Sequence, residues 1–160
     1  MVGRNDPDDG RRMFALELPN RLSELDSLHR FFERLGREAG WSDRFGMNLT
    51  LACEELLTNT ISYGYPQGGD HSIRVKVACT DRAVEVVLED EGIPFDPLAA
   101  QAPDLELGLE DRPIGGLGIH FVKRLMDEIA YERTASGNRL TLVKKVGKAG
   151  EERRPTGSPD

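Results

Sequence analysis

At 160 residues, 38% apolar and 31% charged, the chain has the length and composition of one soluble globular domain with a real core and a modest loose end. Its formal charge of -7 argues against a general nucleic-acid or anionic-membrane surface, because the average field repels phosphate-rich partners. No apolar run is long enough to cross a bilayer and the N-terminus MVGRNDPDDGRR has no secretory stretch, so a cytoplasmic protein is expected.

Residues 1–12 are polar and read as a flexible leader. Met13 to Leu18 alternates as a half-buried strand that Pro19 ends. From Arg21 to Ala39, Leu22, Leu25, Leu28, Phe31, Phe32 and Leu35 recur at spacings of three and four, which predicts an amphipathic helix; Asn20 or Ser23 can cap its start and Gly40 suits its end. A second helix is predicted from Ser42 or Asp43 to about Tyr63, with Trp41 anchoring the turn before it. After a glycine-rich loop, Ser72 to Cys79 and Ala83 to Asp90 alternate as the strands of an antiparallel hairpin. An irregular segment then reaches to about Ile114, far longer than an ordinary connection. A third helix, Ile119 to Met126, is followed by strands near Glu128 to Arg133 and Asn138 to Lys145, and residues 147–160 read as a disordered tail. The expected fold is α/β: a two-layer sandwich of a largely antiparallel mixed sheet with helices on one face.

Three segments carry chemistry. On the second helix Glu55 and Asn59 stand one turn apart, so a carboxylate and a carboxamide point the same way. With Leu49, Ala52, Leu56 and Tyr63 doing the packing, the pair is free to line a polar pocket against the sheet, although this stretch alone reads more simply as a solvated helix face. Asp90-Glu91-Gly92-Ile93-Pro94 puts an acid at a strand end before a glycine turn, a pattern that turn geometry alone also explains. Gly115, Gly116 and Gly118 open a helix, where glycine allows close backbone approach and free N–H groups bind anions. This is not the Rossmann fingerprint, since no strand of a βαβ unit leads into it. Cys53 and Cys79 are too few and too distant for a metal site and read as reduced and buried. No histidine has metal-ligand spacing.

Taken in order, Glu-Glu-Leu-Leu-Thr-Asn with Tyr-Gly-Tyr, then Asp-Glu-Gly-Ile-Pro-Phe-Asp-Pro, then Gly-Gly-Leu-Gly-Ile-His-Phe-Val-Lys-Arg-Leu-Met-Asp resemble the ATP-binding boxes of the GHKL (Bergerat-fold) superfamily. Within it they look most like the bacterial anti-sigma-factor serine/threonine kinases. The resemblance covers roughly Met13 to Lys145 and implies a histidine-kinase-like ATP-binding domain over 13–146. It further implies that Asn59 holds Mg²⁺, that Glu55 is the general base, and that Asp90 accepts from the adenine amino group while Gly92 lets the chain pass beneath the ring. Gly115, Gly116 and Gly118 would offer N–H groups to the phosphates, and residues 97–114 would form a lid. Glu54, displaced by about 100° around the helix, is taken as the partly exposed neighbour of the base. The implied cofactors are ATP and Mg²⁺. The implied partners are a sigma factor and a STAS-domain anti-sigma antagonist, with a homodimer as the family expectation and neither direct nucleic-acid contact nor a membrane. The chain departs from the family pattern at Pro94, where many members have glycine, and at Tyr63, where relatives have histidine. Asn138 stands where some relatives have threonine near the adenine and is left outside the site. The acidic lid, with Asp104, Glu106, Glu110 and Asp111 against Arg112, and the proline turn motivate an alternative: a nucleotide-responsive binding module with little or no phosphotransfer.

Overall fold

Residues 4–5, 10–99 and 116–147 are described by the structure, a computed structural model. Gly115, the greater part of the expected lid (100–114), residues 1–3 and 6–9 of the expected leader and the expected tail from 148 onward lie outside the described residues. Period-two alternation builds a six-stranded sheet from β1 (Arg4–Asn5), β2 (Arg12–Pro19), β3 (Ser72–Cys79), β4 (Ala83–Asp90), β5 (Glu128–Arg133) and β6 (Asn138–Lys145). The order is β1-β2-β3-β4-β6-β5, and every pairing is antiparallel. Arg4 and Asn5, within the stretch expected as leader, pair with Met13 and Arg12.

The inward rows are apolar until their ends. Ile73, Val75 and Val77 of β3, Val84, Val86 and Leu88 of β4, and Leu140 and Leu142 of β6 are all buried. Against them pack α1 (Leu25–Ala39), α2 (Asp43–Tyr63) and α3 (Gly116–Leu125), with α2 touching both α1 and α3. Leu28, Phe31, Phe32 and Leu35 fill the α1 contact, while Phe45, Leu49, Ala52, Leu56 and Leu57 form the inner stripe of α2. Ser42 caps α2 by accepting from Phe45 N at 3.1 Å. Gly40 closes α1 at φ 69, a left-handed value that glycine adopts without strain. Trp41 is buried between the two helices, 5.4 Å from the Phe45 ring.

Three local expectations are corrected. Neither Asn20 nor Ser23 caps the first helix: a 3-10 turn at Leu22–Glu24 precedes α1, and Asn20 instead binds Gly69 O at 3.2 Å and His71 N at 3.0 Å. A side chain with both donor and acceptor can tie a loop more completely than it can serve one helix end. Tyr63, expected among the packing residues, is 43% exposed, because the last turn of α2 runs past the core. Helix α3 begins at Gly116 rather than Ile119, so Gly116 and Gly118 belong to its first turn.

No helix among the described residues covers the opposite sheet face, and charge solvates it. Glu89, with its side chain 15% exposed, lies 2.7 Å from Lys76 Nζ, 3.6 Å from Arg74 Nη2 and 3.9 Å from Arg139 Nε. The Lys76 hydrogen bond, with Arg139 and Arg74 behind it, holds the Glu89 carboxyl below the usual range despite its burial. A group with a depressed native pKa contributes stability above its unfolded pKa and loses that contribution as pH falls through the native one. Glu89→Gln should therefore cost about 1 kcal/mol at pH 7. In urea titrations the gap to the unmodified chain should close below the ordinary carboxylate pKa.

Candidate functional site

Alternation aims Asp90 inward. It continues the buried row Val84, Val86, Leu88 on β4, and Asn138 heads the row Leu140, Leu142 on β6; the two are direct partners across the sheet. A buried carboxylate at the end of an apolar row needs hydrogen bonds, and Asp90 has them. Its Oδ1 accepts from Gly92 N at 2.8 Å and from Asn138 Nδ2 at 2.9 Å.

Asn138 is the residue that sequence reasoning left outside the site. Its Nδ2 also donates to Ile93 O at 2.8 Å, and its Oδ1 accepts from Tyr131 OH at 2.6 Å and from Phe95 N and Arg133 Nη1 at 3.3 Å each. Arg133 Nη1 donates to Gly92 O at 2.8 Å as well. One buried carboxamide thus sets the path of residues 90–95. The available signal was the polar residue at the head of an otherwise apolar strand, but its meaning depends on the β4–β6 pairing, which joins strands that are not consecutive.

Two glycines mark close approaches in this turn. A Cβ on Gly92 would stand 2.7 Å from Gly64 O and 2.9 Å from Asp90 Oδ1; a Cβ on Gly137 would collide with the Asp90 carbonyl. Ile93 N donates to Gly64 O at 2.9 Å, so the end of α2 and the turn after β4 are tied together. Pro94 follows this bond, so its missing N–H removes nothing the turn uses here. Tyr65 stacks on His71 at 4.7 Å; burial first, then the negative charge of Asp90, pushes its hydroxyl pKa up to about 12.

Helix α2 separates its adjacent glutamates. Glu54 turns to α1, where its Oε2 lies 3.1 Å from His29 Nε2 without the alignment of a hydrogen bond. Glu55 turns to α3, and its carboxylate occupies the space a Gly118 side chain would fill. Glu55, Thr58, Gly118 and Phe121 line an open cleft of roughly 420 Å³. Asn59, one turn further, is 5% exposed, and its Nδ2 finds no hydrogen-bond partner among the described residues. The Tyr65 hydroxyl is likewise buried and without one.

The Asn59 Nδ2, without a partner among the described residues, is a donor that suits an acceptor such as a phosphate oxygen, which leaves Oδ1 as the atom that could meet a cation. Among the described residues no group of three or more His, Cys, Asp or Glu could hold a metal. A cation at Asn59 would thus take its remaining ligands from phosphate and water, as Mg²⁺ commonly does. Among the described residues the donor set suits a metal that arrives with a phosphate ligand. Gly116 and Gly118 stand in the first turn of α3, while Gly115 lies outside the described residues. No helix among the described residues is long and apolar enough to cross a membrane.

Comparison with known proteins places the chain among sequence relatives. The sequence model of the histidine kinase-like ATPase domain matches residues 18–144. Serine/threonine-protein kinase BtrW of Bordetella bronchiseptica is 32% identical over 118 residues, covering 74% of this chain and 82% of that protein. Serine-protein kinase RsbW of Listeria monocytogenes is 30% identical over 121 residues, 72% of this chain and 76% of the relative. Anti-sigma F factor of Clostridium novyi is 28% identical over 103 residues, 59% and 67% respectively.

Asn138→Ala should cost about 2 kcal/mol in urea unfolding, since it strips a hydrogen bond from Asp90 and leaves Tyr131 OH and Phe95 N without their acceptor. Asn138→Asp should cost more at neutral pH, with two carboxylates facing each other, and should recover part of the loss when acid protonates one of them. In the Gly118→Ala variant the new methyl should displace Glu55; a crystal structure would show the carboxylate turned away from α3.

Proposed function

The chain belongs to the histidine kinase-like ATPase family, and on that premise we propose that it is an ATP-dependent serine/threonine protein kinase of the anti-sigma-factor type. It phosphorylates a STAS-domain antagonist and sequesters a sigma factor. The observation that carries this reading is the division of α2: Glu54 faces α1, Glu55 faces the open cleft beside Gly118, and Asn59 is buried with its Nδ2 unpartnered among the described residues. The kinase and anti-sigma names of the relatives support the same assignment.

Each residue has a task in it. Asp90, held through Oδ1 by Gly92 and Asn138, presents its other oxygen to the exocyclic amino group of adenine. Gly92 lets the ring lie against the backbone, and the N–H groups around Gly115, Gly116 and Gly118 receive the phosphates. Asn59 would hold Mg²⁺ through its carboxamide oxygen. Mg-ATP, when bound, supplies a γ-phosphoryl group whose bond to ADP breaks as the acceptor oxygen bonds to phosphorus. Glu55 accepts the proton that the acceptor hydroxyl loses. A cytoplasmic setting, a homodimer and a lid over the nucleotide belong to the same proposal. A second reading, a nucleotide-responsive module that grips its partners without phosphotransfer, is favoured by the acidic character of residues 100–114.

Labelled Mg-ATP incubated with purified STAS-domain proteins separates the two. The kinase reading expects transfer to serine or threonine. Glu55→Ala should lower kcat by about 100-fold or more while sparing ATP affinity, whereas Asn59→Ala and Asp90→Asn should weaken nucleotide binding itself. Tight ATP binding without transfer to any acceptor would leave the binding module. Transfer that survives Glu55→Ala would remove Glu55 as base.

A further inference from the structure

Helix α2 carries a second feature that nucleotide chemistry does not use. Met47 is 61% exposed and Leu51, one turn on, 40%. They border a groove of roughly 290 Å³ between α1 and α2, floored by Phe32 and Trp41. Gly36 and Gly46 open it: each faces the Trp41 ring, and a Cβ there would stand 3.5 Å and 3.8 Å from it. Leu51 and Glu54 line both this groove and the cleft of Glu55, where Phe121 is 55% exposed. Met47, Leu51 and Phe121 thus form an exposed apolar track that leads to the carboxylate of Glu55.

The charge along the track has one sign. Glu33, Glu54 and Glu55 line the two depressions, and among the described residues neither is lined by a Lys or Arg. A second copy of this chain would bring the same carboxylates into a two-fold contact, and the whole chain carries -7. A basic partner meets no such repulsion.

We propose that this track is the docking surface for the phosphoacceptor protein, which seats an apolar segment flanked by Lys or Arg along α2 and so delivers its hydroxyl to Glu55. The proposal rests on the kinase reading above and adds the place and chemistry of acceptor recognition.

Met47→Glu and Glu33→Lys test it, since both exchange one good helix former for another on an exposed surface. Purified STAS-domain proteins from the same genome serve as acceptors, and thermal unfolding checks that each variant folds. Each substitution should raise KM for the acceptor about tenfold, with kcat and ATP affinity unchanged. Acceptor KM values equal to that of the unmodified chain would overturn the docking surface while the kinase reading stands. Loss of self-association in sedimentation without a change in KM would assign the groove to a second copy and overturn it likewise. If the unmodified chain binds ATP but neither binds nor phosphorylates any acceptor, the kinase reading itself fails and the docking surface falls with it.

Discussion

The interaction on which the site depends is the hydrogen bond between Asn138 and Asp90. Both stand at the inward ends of apolar rows, where the two-layer core gives way to polar side chains. A carboxylate there would be costly to bury alone. Asn138 answers it with one N–H and uses the other for Ile93 O, while its oxygen gathers the Tyr131 hydroxyl, Phe95 N and Arg133. The carboxamide has two donors and an acceptor, whereas a threonine hydroxyl has a single donor. This chain can therefore fix a longer stretch of the turn than a threonine at the same place would.

That tie has consequences on both sides. Through Gly64 it reaches the end of α2, so the helix that carries Glu55 and Asn59 and the turn that carries Asp90 are positioned by one connected set of bonds. Arg133, on the outer strand β5, closes the set by donating to Gly92 O. The uncovered sheet face plays no part in the pocket. Its Glu89 cluster supplies polarity, which an antiparallel sheet with one wet face requires.

Most of the architecture was legible because its signals are local. Strands β2, β3, β4 and β6 alternate with period two, and α2 runs from a serine cap to a glycine, so their limits follow from neighbouring residues. Asp90 was legible as well, since alternation alone turns it inward. The misses share a cause in contacts distant along the chain. Asn20 could bind a loop rather than cap a helix only because His71 folds back beside it. Asn138 acquires its meaning from a strand 48 residues away. Lys144, near the end of β6, reaches back to donate to Leu125 O at 3.0 Å at the close of α3, a contact that no neighbouring residue announces. Helix α3 starts early because glycine propensity, which argues against a first turn at 116–118, is outweighed by contact with α2, where any side chain on Gly118 would evict Glu55.

Helix α2 then explains why recognition and chemistry can be separate and still coordinated. Met47, Leu51 and Glu55 recur every four residues, so they share one side of the helix. At 1.5 Å of rise per residue, Met47 and Glu55 are about 12 Å apart along the axis, the reach of a short peptide segment. Asn59 lies one turn beyond but rotates toward the core, because successive steps of four drift by about 40° around a helix of 3.6 residues per turn. That drift takes a single row from solvent at Met47, through the half-buried cleft at Glu55, to burial at Asn59. A polypeptide lying along the row from the exposed end meets apolar contacts first and the Glu55 carboxylate next, while the buried Asn59 carboxamide lies beyond its reach. The order of those environments follows from helical geometry, so under the proposed kinase reading an acceptor hydroxyl and a nucleotide phosphate would approach Glu55 from opposite directions without competing for the same surface.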